Sequence, residues 1–244
     1  WDITNTGQPY KDIELKLTEG TWMSLDVSPD GKTIAFDLLN DIYTIPVTGG
    51  AATLVQGGPA TQRIPSYSPD GSRLLYLSDA DGVDNAWSSR PDGSDARQIT
   101  HEDNAILASP TWTAKGDGVI AARTKTTFQQ MYGSELRLYD LAGGDGRVVV
   151  DAPANGRDVE EVRPSPDGRY VYYSERITAP HIYVDANHMN FAIKRRDLQT
   201  GEVTQLIDGF GGAVDPAVSD DGKRLAFVRR VGAKTILFVY DIKT

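Results

Sequence analysis

The apolar positions of this chain fall in short clusters separated by polar turns, and the clusters recur in the same order. The turn that begins each series reads Ser-Pro-Asp-Gly at 28–31, 68–71 and 165–168, with divergent copies at 113–116 and 219–222. The closing glycines Gly31, Gly71, Gly116, Gly168 and Gly222 are 40, 45, 52 and 54 residues apart. Repetition on this scale is typical of β-propeller blades and of solenoid units.

Each repeat predicts a set of short β-strands. A run rich in β-branched and aromatic residues follows every repeat glycine, and its nearly continuous apolar character predicts burial on both faces. These first runs are 33–36, 73–76, 118–121, 170–173 and 224–227. Second runs are 42–45, 86–88, 136–139, 192–195 and 237–240, and third runs are 52–55, 96–99, 147–150 and 203–206. An innermost strand is expected just before the glycine, at 25–27, 65–67, 110–112 and 217–218.

Five such repeats predict an all-β fold, a β-propeller of four-stranded blades that occupies residues 1–244 as one domain. Residues 13–17 have the pattern of an outermost strand, whereas the fifth repeat stops before its own outermost strand. Two interpretations stay open. Either the N-terminal strand closes the last blade, which would remove open sheet edges, or the sequence is part of a longer propeller that continues past Thr244.

The Ser-Pro-Asp-Gly element has a local physical explanation. Proline fixes φ at the first corner of a tight turn, aspartate accepts hydrogen bonds from nearby backbone N–H groups, and glycine takes the positive φ that reverses the chain. The sequence therefore favours a structural turn over a metal site for these aspartates.

Charge and composition narrow the function. The chain has 25 Lys or Arg residues and 34 Asp or Glu residues, for a net charge of −9. Nucleic acid is not an expected partner, because phosphate binding needs clustered positive charge. The absence of cysteine excludes disulfides, thiolate metal sites and cysteine nucleophiles. Apolar runs stay well below 18 residues, so no membrane-spanning helix is predicted.

An acidic loop at 79–85 is the first candidate site. It brings Asp79, Asp81 and Asp84 close together in the sequence, and carboxylate oxygens are good calcium ligands. The loop departs from the helix–loop–helix calcium pattern in its glycine position and lacks the distal glutamate. Turn chemistry explains the loop equally well, so calcium is a secondary expectation and no other cofactor is expected.

The insertion at 178–190, in the fourth repeat, is the second candidate site. It concentrates His181, Tyr183, Asp185 and His188 in one long loop. Long propeller loops lie on one face and often bind ligands, and imidazole and carboxylate groups bind metals or polar ligands. A packed loop that covers the tunnel mouth or contacts a partner domain is the favoured interpretation, and ligand binding by these four residues is the best site hypothesis. No catalytic residue is predicted.

The repeats resemble those of TolB-like propellers. Residues 19–31, 36–43, 183–188 and 225–230 further resemble the secreted bacterial amidohydrolases that carry TolB-like repeats ahead of a metal-dependent hydrolase barrel. The resemblance implies a longer parent protein that is periplasmic or secreted. The metal site of that barrel would begin with a His-x-His pair, which this chain lacks, so no catalytic residue of the family carries over.

Three functions are consistent with these expectations, and whether the protein is an enzyme stays open. The first is a non-catalytic propeller module of a larger amidohydrolase-type protein, which serves domain packing, oligomer contacts or substrate gating. Its partners would be other domains of the same polypeptide, other proteins or further copies of the chain. The second is a standalone periplasmic scaffold that binds proteins. The third is a metal-dependent lyase or hydrolase that acts at the propeller axis.

Overall fold

The computed structural model of the chain describes residues 7, 11, 13–125, 133–153, 158–177 and 190–242. These residues form nineteen β-strands and no helix, which confirms the all-β class. The described part of the chain accordingly has no helix of the length and apolar character needed to cross a membrane. The chain divides into two compact units, Trp1–Asp103 and Asn104–Thr244.

The first unit contains the blades of the first two repeats. Its strands are β1 (Leu25–Val27), β2 (Thr33–Leu38), β3 (Asp41–Pro46), β4 (Thr53–Gln56), β5 (Gln62–Tyr67), β6 (Leu74–Ser78), β7 (Asn85–Ser89) and β8 (Arg97–Gln98). Blade 1 is the sheet β1-β2-β3-β4, and blade 2 is the sheet β5-β6-β7-β8. All neighbouring strands in both blades pair antiparallel.

The second unit contains the other three blades of the five-blade propeller. Its strands are β9 (Ala105–Trp112), β10 (Gly118–Lys125), β11 (Ser134–Asp140), β12 (Gly143–Val150), β13 (Val159–Pro164), β14 (Tyr170–Arg176), β15 (Phe191–Asp197), β16 (Val203–Ile207), β17 (Val214–Val218), β18 (Arg224–Val231) and β19 (Lys234–Asp241). Blade 3 is β9-β10-β11-β12, and blade 4 is β13-β14-β15-β16. Blade 5 has three strands among the described residues, in the order β17-β18-β19.

The predicted strands are confirmed in every repeat, with two differences. Strand β13 was not predicted, because Glu160 and Glu161 interrupt the apolar pattern before the fourth turn. The predicted outermost strand at 13–17 is not formed, and no described strand pairs with it. The apolar side chains of this segment are half or more exposed. An alternating pattern gives a stable strand only where a sheet edge supplies ladder hydrogen bonds.

The Ser-Pro-Asp-Gly turns are held by a hydroxyl–carboxylate pair. In blade 2, the Ser68 hydroxyl donates to Asp70 Oδ1 at 2.7 Å, and the backbone N–H of Ser72 donates to the same oxygen at 3.0 Å. The N–H of Arg73 donates to Ser68 Oγ at 2.9 Å. These hydrogen bonds, that of Ser68 foremost, lower the pKa of Asp70 to about 2. The structural-turn interpretation therefore has a direct geometric basis.

The second strand of each blade presents two faces, which lie against different neighbours. Side chains three and five residues after the repeat glycine form what we call the preceding face, and those four and six residues after it form the following face. In blade 4, Val171 and Tyr173 of the preceding face pack with Ile120 of blade 3. Tyr172 of the following face packs with Leu225 of blade 5. Burial on both faces, as predicted, is thus produced by stacking of blades.

We expect Gly93→Ala to destabilise the protein more than Gly31→Ala. Both glycines have positive φ, 85° and 70°, which costs an alanine about 1 kcal/mol. A Cβ at Gly31 meets open space, whereas a Cβ at Gly93 would overlap the carbonyl oxygen of Val55 in blade 1. The overlap should cost a further ~1–3 kcal/mol. Urea unfolding of the two variants measures the difference, and equal losses would contradict the close approach of the two blades.

Candidate functional site

The innermost strands of blades 2 to 5 share a bulge with a strained backbone. One non-glycine residue in each strand has a left-handed φ between 48° and 57°, namely Ile64, Ser109, Glu161 and Asp215. Each stands seven residues before its repeat glycine, at a shift in the register with the next strand. Such bulges and left-handed residues concentrate near functional sites, so the inner edge of the blades is a candidate functional region.

Two carboxylates of blade 1 hold the bulge of blade 2. Asp37 is buried, and its Oδ2 accepts a hydrogen bond from the N–H of Ile64 at 2.7 Å. Its Oδ1 accepts from the N–H of Ser24 at 2.8 Å. Asp26 Oδ2 accepts from the N–H of Tyr67 at 2.7 Å. Asp37 thus supplies an acceptor for the N–H of the bulge residue, and Asp26 supplies one for an N–H of the same strand that faces away from β6.

A glutamate plays the same part between blades 4 and 5. Glu161 Oε2 accepts from the N–H of Asp215, the bulge residue of blade 5, at 2.7 Å. The same oxygen accepts from the Ser174 hydroxyl at 2.6 Å. Burial, and then the negative charge of Asp215, raise the pKa of Glu161 above its usual value.

A second glutamate on the same strand is also perturbed. Burial raises the pKa of Glu160, and the charges of Asp158 and Glu161 add to the effect. Arg176 opposes it, and its guanidinium forms an ion pair with Asp158. The inner edge of blade 4 thus combines several acidic groups with two arginines, Arg163 and Arg176, that partly offset the raised pKa values of Glu161 and Glu160 respectively.

The three aspartates of the acidic loop have separate partners. Asp79 Oδ1 accepts from the N–H of Thr61 at 2.7 Å. Asp84 forms an ion pair with Arg63. Asp81 accepts hydrogen bonds from the side-chain amides of Asn85 and Gln98.

No group of three or more His, Asp or Glu side chains suited to a metal ion occurs among the described residues. Calcium binding by Asp79, Asp81 and Asp84 stays a prediction. Each of the three carboxylates joins a different part of blade 2, which gives the loop a structural use.

The other predicted ligand-binding residues, His181, Tyr183, Asp185 and His188, lie outside the described residues. The hypothesis that they bind a metal or a polar ligand therefore stays a prediction. The third histidine of the chain, His101, is exposed on the loop that follows blade 2.

A groove of about 620 Å³ lies at the end of blades 1 and 2 that carries their Ser-Pro-Asp-Gly turns. Asp30, Asp70 and Asp92 line it together with Tyr67 and Pro29. Hydrogen bonds within their own turns, led by those from serine hydroxyls, lower the pKa values of the three aspartates. The groove is therefore negatively charged over the whole physiological pH range.

The carboxylates that hold the bulges were missed in the sequence. Asp37 and Glu161 stand in strand patterns rather than in turns, and a charge within an apolar strand was the available signal. Three of the four bulge residues precede a proline, at Pro65, Pro110 and Pro216. Proline cannot donate to a ladder and is confined to edges and bulges, so this spacing also marked the bulge.

Comparison with protein families gives one match that covers most of the chain. The family model of the TolB beta propeller domain matches residues 15–182. The matched segment contains all three exact Ser-Pro-Asp-Gly turns, the divergent turn at 113–116 and strands of both compact units.

Two curated relatives are peptidases by name. Tricorn protease homolog 1 of Streptomyces coelicolor is 26% identical over 195 residues, which cover 77% of this chain and 17% of the relative. Dipeptidyl-peptidase 5 of Porphyromonas endodontalis is 22% identical, with 95% of this chain and 33% of the relative covered. The chain therefore spans a third or less of the length of these relatives.

Among solved structures, TolB from Acinetobacter baumannii has a TM-score of 0.66 with this chain at 18% sequence identity. The similarity covers 90% of this chain and 51% of that one. At this identity the similarity concerns the fold alone.

We expect Asp37→Asn to lower the free energy of unfolding by about 1–3 kcal/mol. The carboxylate accepts from two backbone N–H groups, and an amide would turn its NH₂ group towards one of them. Asp103→Asn is the matched control, because Asp103 is exposed in the same unit. Urea unfolding measures both variants, and a loss at Asp37 no larger than that at Asp103 would remove the carboxylate from its assigned role.

The pH dependence of stability should reveal Glu160. Its pKa is raised in the folded state, so the folded protein holds the proton at pH values where the unfolded chain has lost it. Ionisation therefore costs stability as pH rises above about 4.5, the ordinary value. We expect Glu160→Gln to be more favourable relative to wild type at pH 7 than at pH 4. Unfolding curves at both pH values test this, with exposed Glu202→Gln as control, and the opposite trend would contradict it.

Proposed function

Because the chain belongs to the TolB β-propeller family, we propose that it is the non-catalytic propeller module of a larger amidohydrolase-type polypeptide. Its role there is domain packing, with loops at one end of the blades available for contacts with the catalytic part or with further copies. The proposed location is the periplasm or the exterior of a bacterial cell, which rests on the resemblance to TolB.

The observation that carries this proposal is how the chain uses its carboxylates. Asp37 and Glu161 accept hydrogen bonds from backbone N–H groups of the next blade. Asp70 and its counterparts accept from the N–H and hydroxyl groups of their own turns. The hydrogen bonds of these carboxylates hold the next blade or close a turn, and this structural use supports a non-catalytic role.

The relatives also support a propeller module whose catalytic part lies elsewhere in the polypeptide. The chain matches 17% of the tricorn protease homolog and 33% of the dipeptidyl-peptidase. A propeller that forms part of such proteins is consistent with chemistry located in another part of the polypeptide, since a fold of this kind is a scaffold on which sites are built.

The intact denatured mass of the protein from its source organism tests the proposal first. We expect a mass well above that of 244 residues. The 244-residue chain by itself should not hydrolyse amide or peptide substrates above background, with or without added Zn²⁺ or Mn²⁺. A native mass equal to that of the printed chain would instead favour a standalone periplasmic scaffold. Turnover that is lost in the His181→Ala or His188→Ala variant would favour a metal-dependent enzyme.

A further inference from the structure

The preceding face of blade 1 is left uncovered. In blades 2 to 5 the two central positions of this face are buried, namely Leu74, Tyr76, Val119, Ala121, Val171, Tyr173, Leu225 and Phe227. Their counterparts in blade 1, Ile34 and Phe36, are only half-buried. Leu25 lies opposite Phe36 and Val27 opposite Ile34 in the register, so all four share one face. Leu25 is 61% exposed, which leaves an apolar sheet face open to solvent.

The following face of blade 5 is uncovered in the same way. Leu237 and Val239 lie opposite Val228 and Ala226, and they are 69% and 62% exposed. The register gives Leu237 a counterpart in blade 4, because Ile193 holds the same position opposite Ser174. Ile193 is fully buried in the cluster that joins blade 4 to blade 5. One position in the repeat is therefore buried where a following blade exists and exposed where none is described.

We propose that these two faces are docking surfaces for further propeller blades, supplied by polypeptide outside the five described blades. The inference rests on the proposed function, since it names the partner that such a module packs against. The occupant is a blade because successive blades of one unit cover such faces for each other, blade 2 on blade 1, blade 4 on blade 3 and blade 5 on blade 4. Blade 5 itself lies on blade 4 through Leu225 and Phe227, against Tyr172 and Ile193. Large exposed apolar patches of this kind mark interaction surfaces.

The two faces need different sides of a blade. Blade 1 lacks a cover on its preceding face, so its partner must offer a following face. Blade 5 lacks a cover on its following face, so its partner must offer a preceding face with large apolar side chains at the positions of Leu225 and Phe227. Blade 5 also has three strands among the described residues, and the connection to a further blade would supply its fourth.

Thiol labelling can test the proposal, because the chain contains no cysteine. In the 244-residue chain, the thiol introduced by Leu237→Cys should react rapidly with maleimide. The thiol introduced by Ile193→Cys, at the buried counterpart, should react slowly. The Leu237→Cys chain is then extended by one repeat. In the extended chain, residues 1–241 are followed directly by a second copy of residues 198–242, and this copy keeps leucine at the position equivalent to 237. The copy offers a fourth strand to blade 5 and a preceding face beyond it. We expect labelling of the introduced thiol to slow by about tenfold or more, as burial protects a group from reagents.

A matched extension separates docking from a general effect of added sequence. It carries Phe227→Asp in the copy alone, and it should leave the introduced thiol as reactive as in the unextended Leu237→Cys chain. Absence of protection by the unaltered copy would overturn the proposal. So would slow labelling in the unextended monomer, or a disulfide within one chain in a Leu25→Cys/Leu237→Cys variant, because the face would then be covered by the chain itself.

Two further outcomes distinguish the remaining possibilities. If protection of the introduced thiol grows with the concentration of the unextended chain, a second copy is the occupant and the proposal is overturned. Hydrolase activity of the printed chain would defeat the proposed function, whereas the labelling rates would still report on the docking surface. The two ideas can therefore fail separately.

Discussion

A sheet of three or four short strands has two faces and cannot cover either by itself. In this chain the second strand of each blade has apolar side chains on both faces. Each face therefore needs a different neighbouring blade to cover it. Tyr172 and Tyr173 illustrate this, since adjacent residues of one strand belong to two different hydrophobic clusters. The turns, the bulges and the inter-blade carboxylates all serve to bring one sheet flat against the next.

Much of this could be predicted from the sequence, because the repeat itself is local. Glycine at the fourth position of each turn and the apolar run after it predict the second strand of every blade. Strand β13 escaped because Glu160 and Glu161 look like exposed residues in the sequence. In the structure Glu161 accepts a hydrogen bond from blade 5, and burial raises the pKa of Glu160. The prediction for residues 13–17 was wrong in the opposite direction. Their alternating pattern resembles a strand, but no described strand pairs with them.

The site was harder to predict for the same reason. The sequence drew attention to the acidic loop with Asp79, and the structure gives that carboxylate a backbone donor in blade 2. Asp37 stood inside a predicted strand and attracted no functional interpretation, although it joins two blades. Pro65 was a sequence signal for a bulge at Ile64, and the register between β5 and β6 shows where the bulge lies and that its backbone is left-handed. Contacts between repeats are long-range, and a repeat pattern contains no direct record of them.

The two connections of the second strand differ in how much their length varies between blades. The turn before the second strand keeps its length in every repeat. Its hydroxyl–carboxylate hydrogen bond recurs in blades 1, 2, 4 and 5, whereas in blade 3 the Thr113 hydroxyl donates to Asp117. The connection between the second and third strands varies from residues 39–40 in blade 1 to residues 177–190 in blade 4. This length difference falls at the end of the second strand opposite its turn. A blade of this design can therefore change the connection between its second and third strands while the turn before its second strand stays the same.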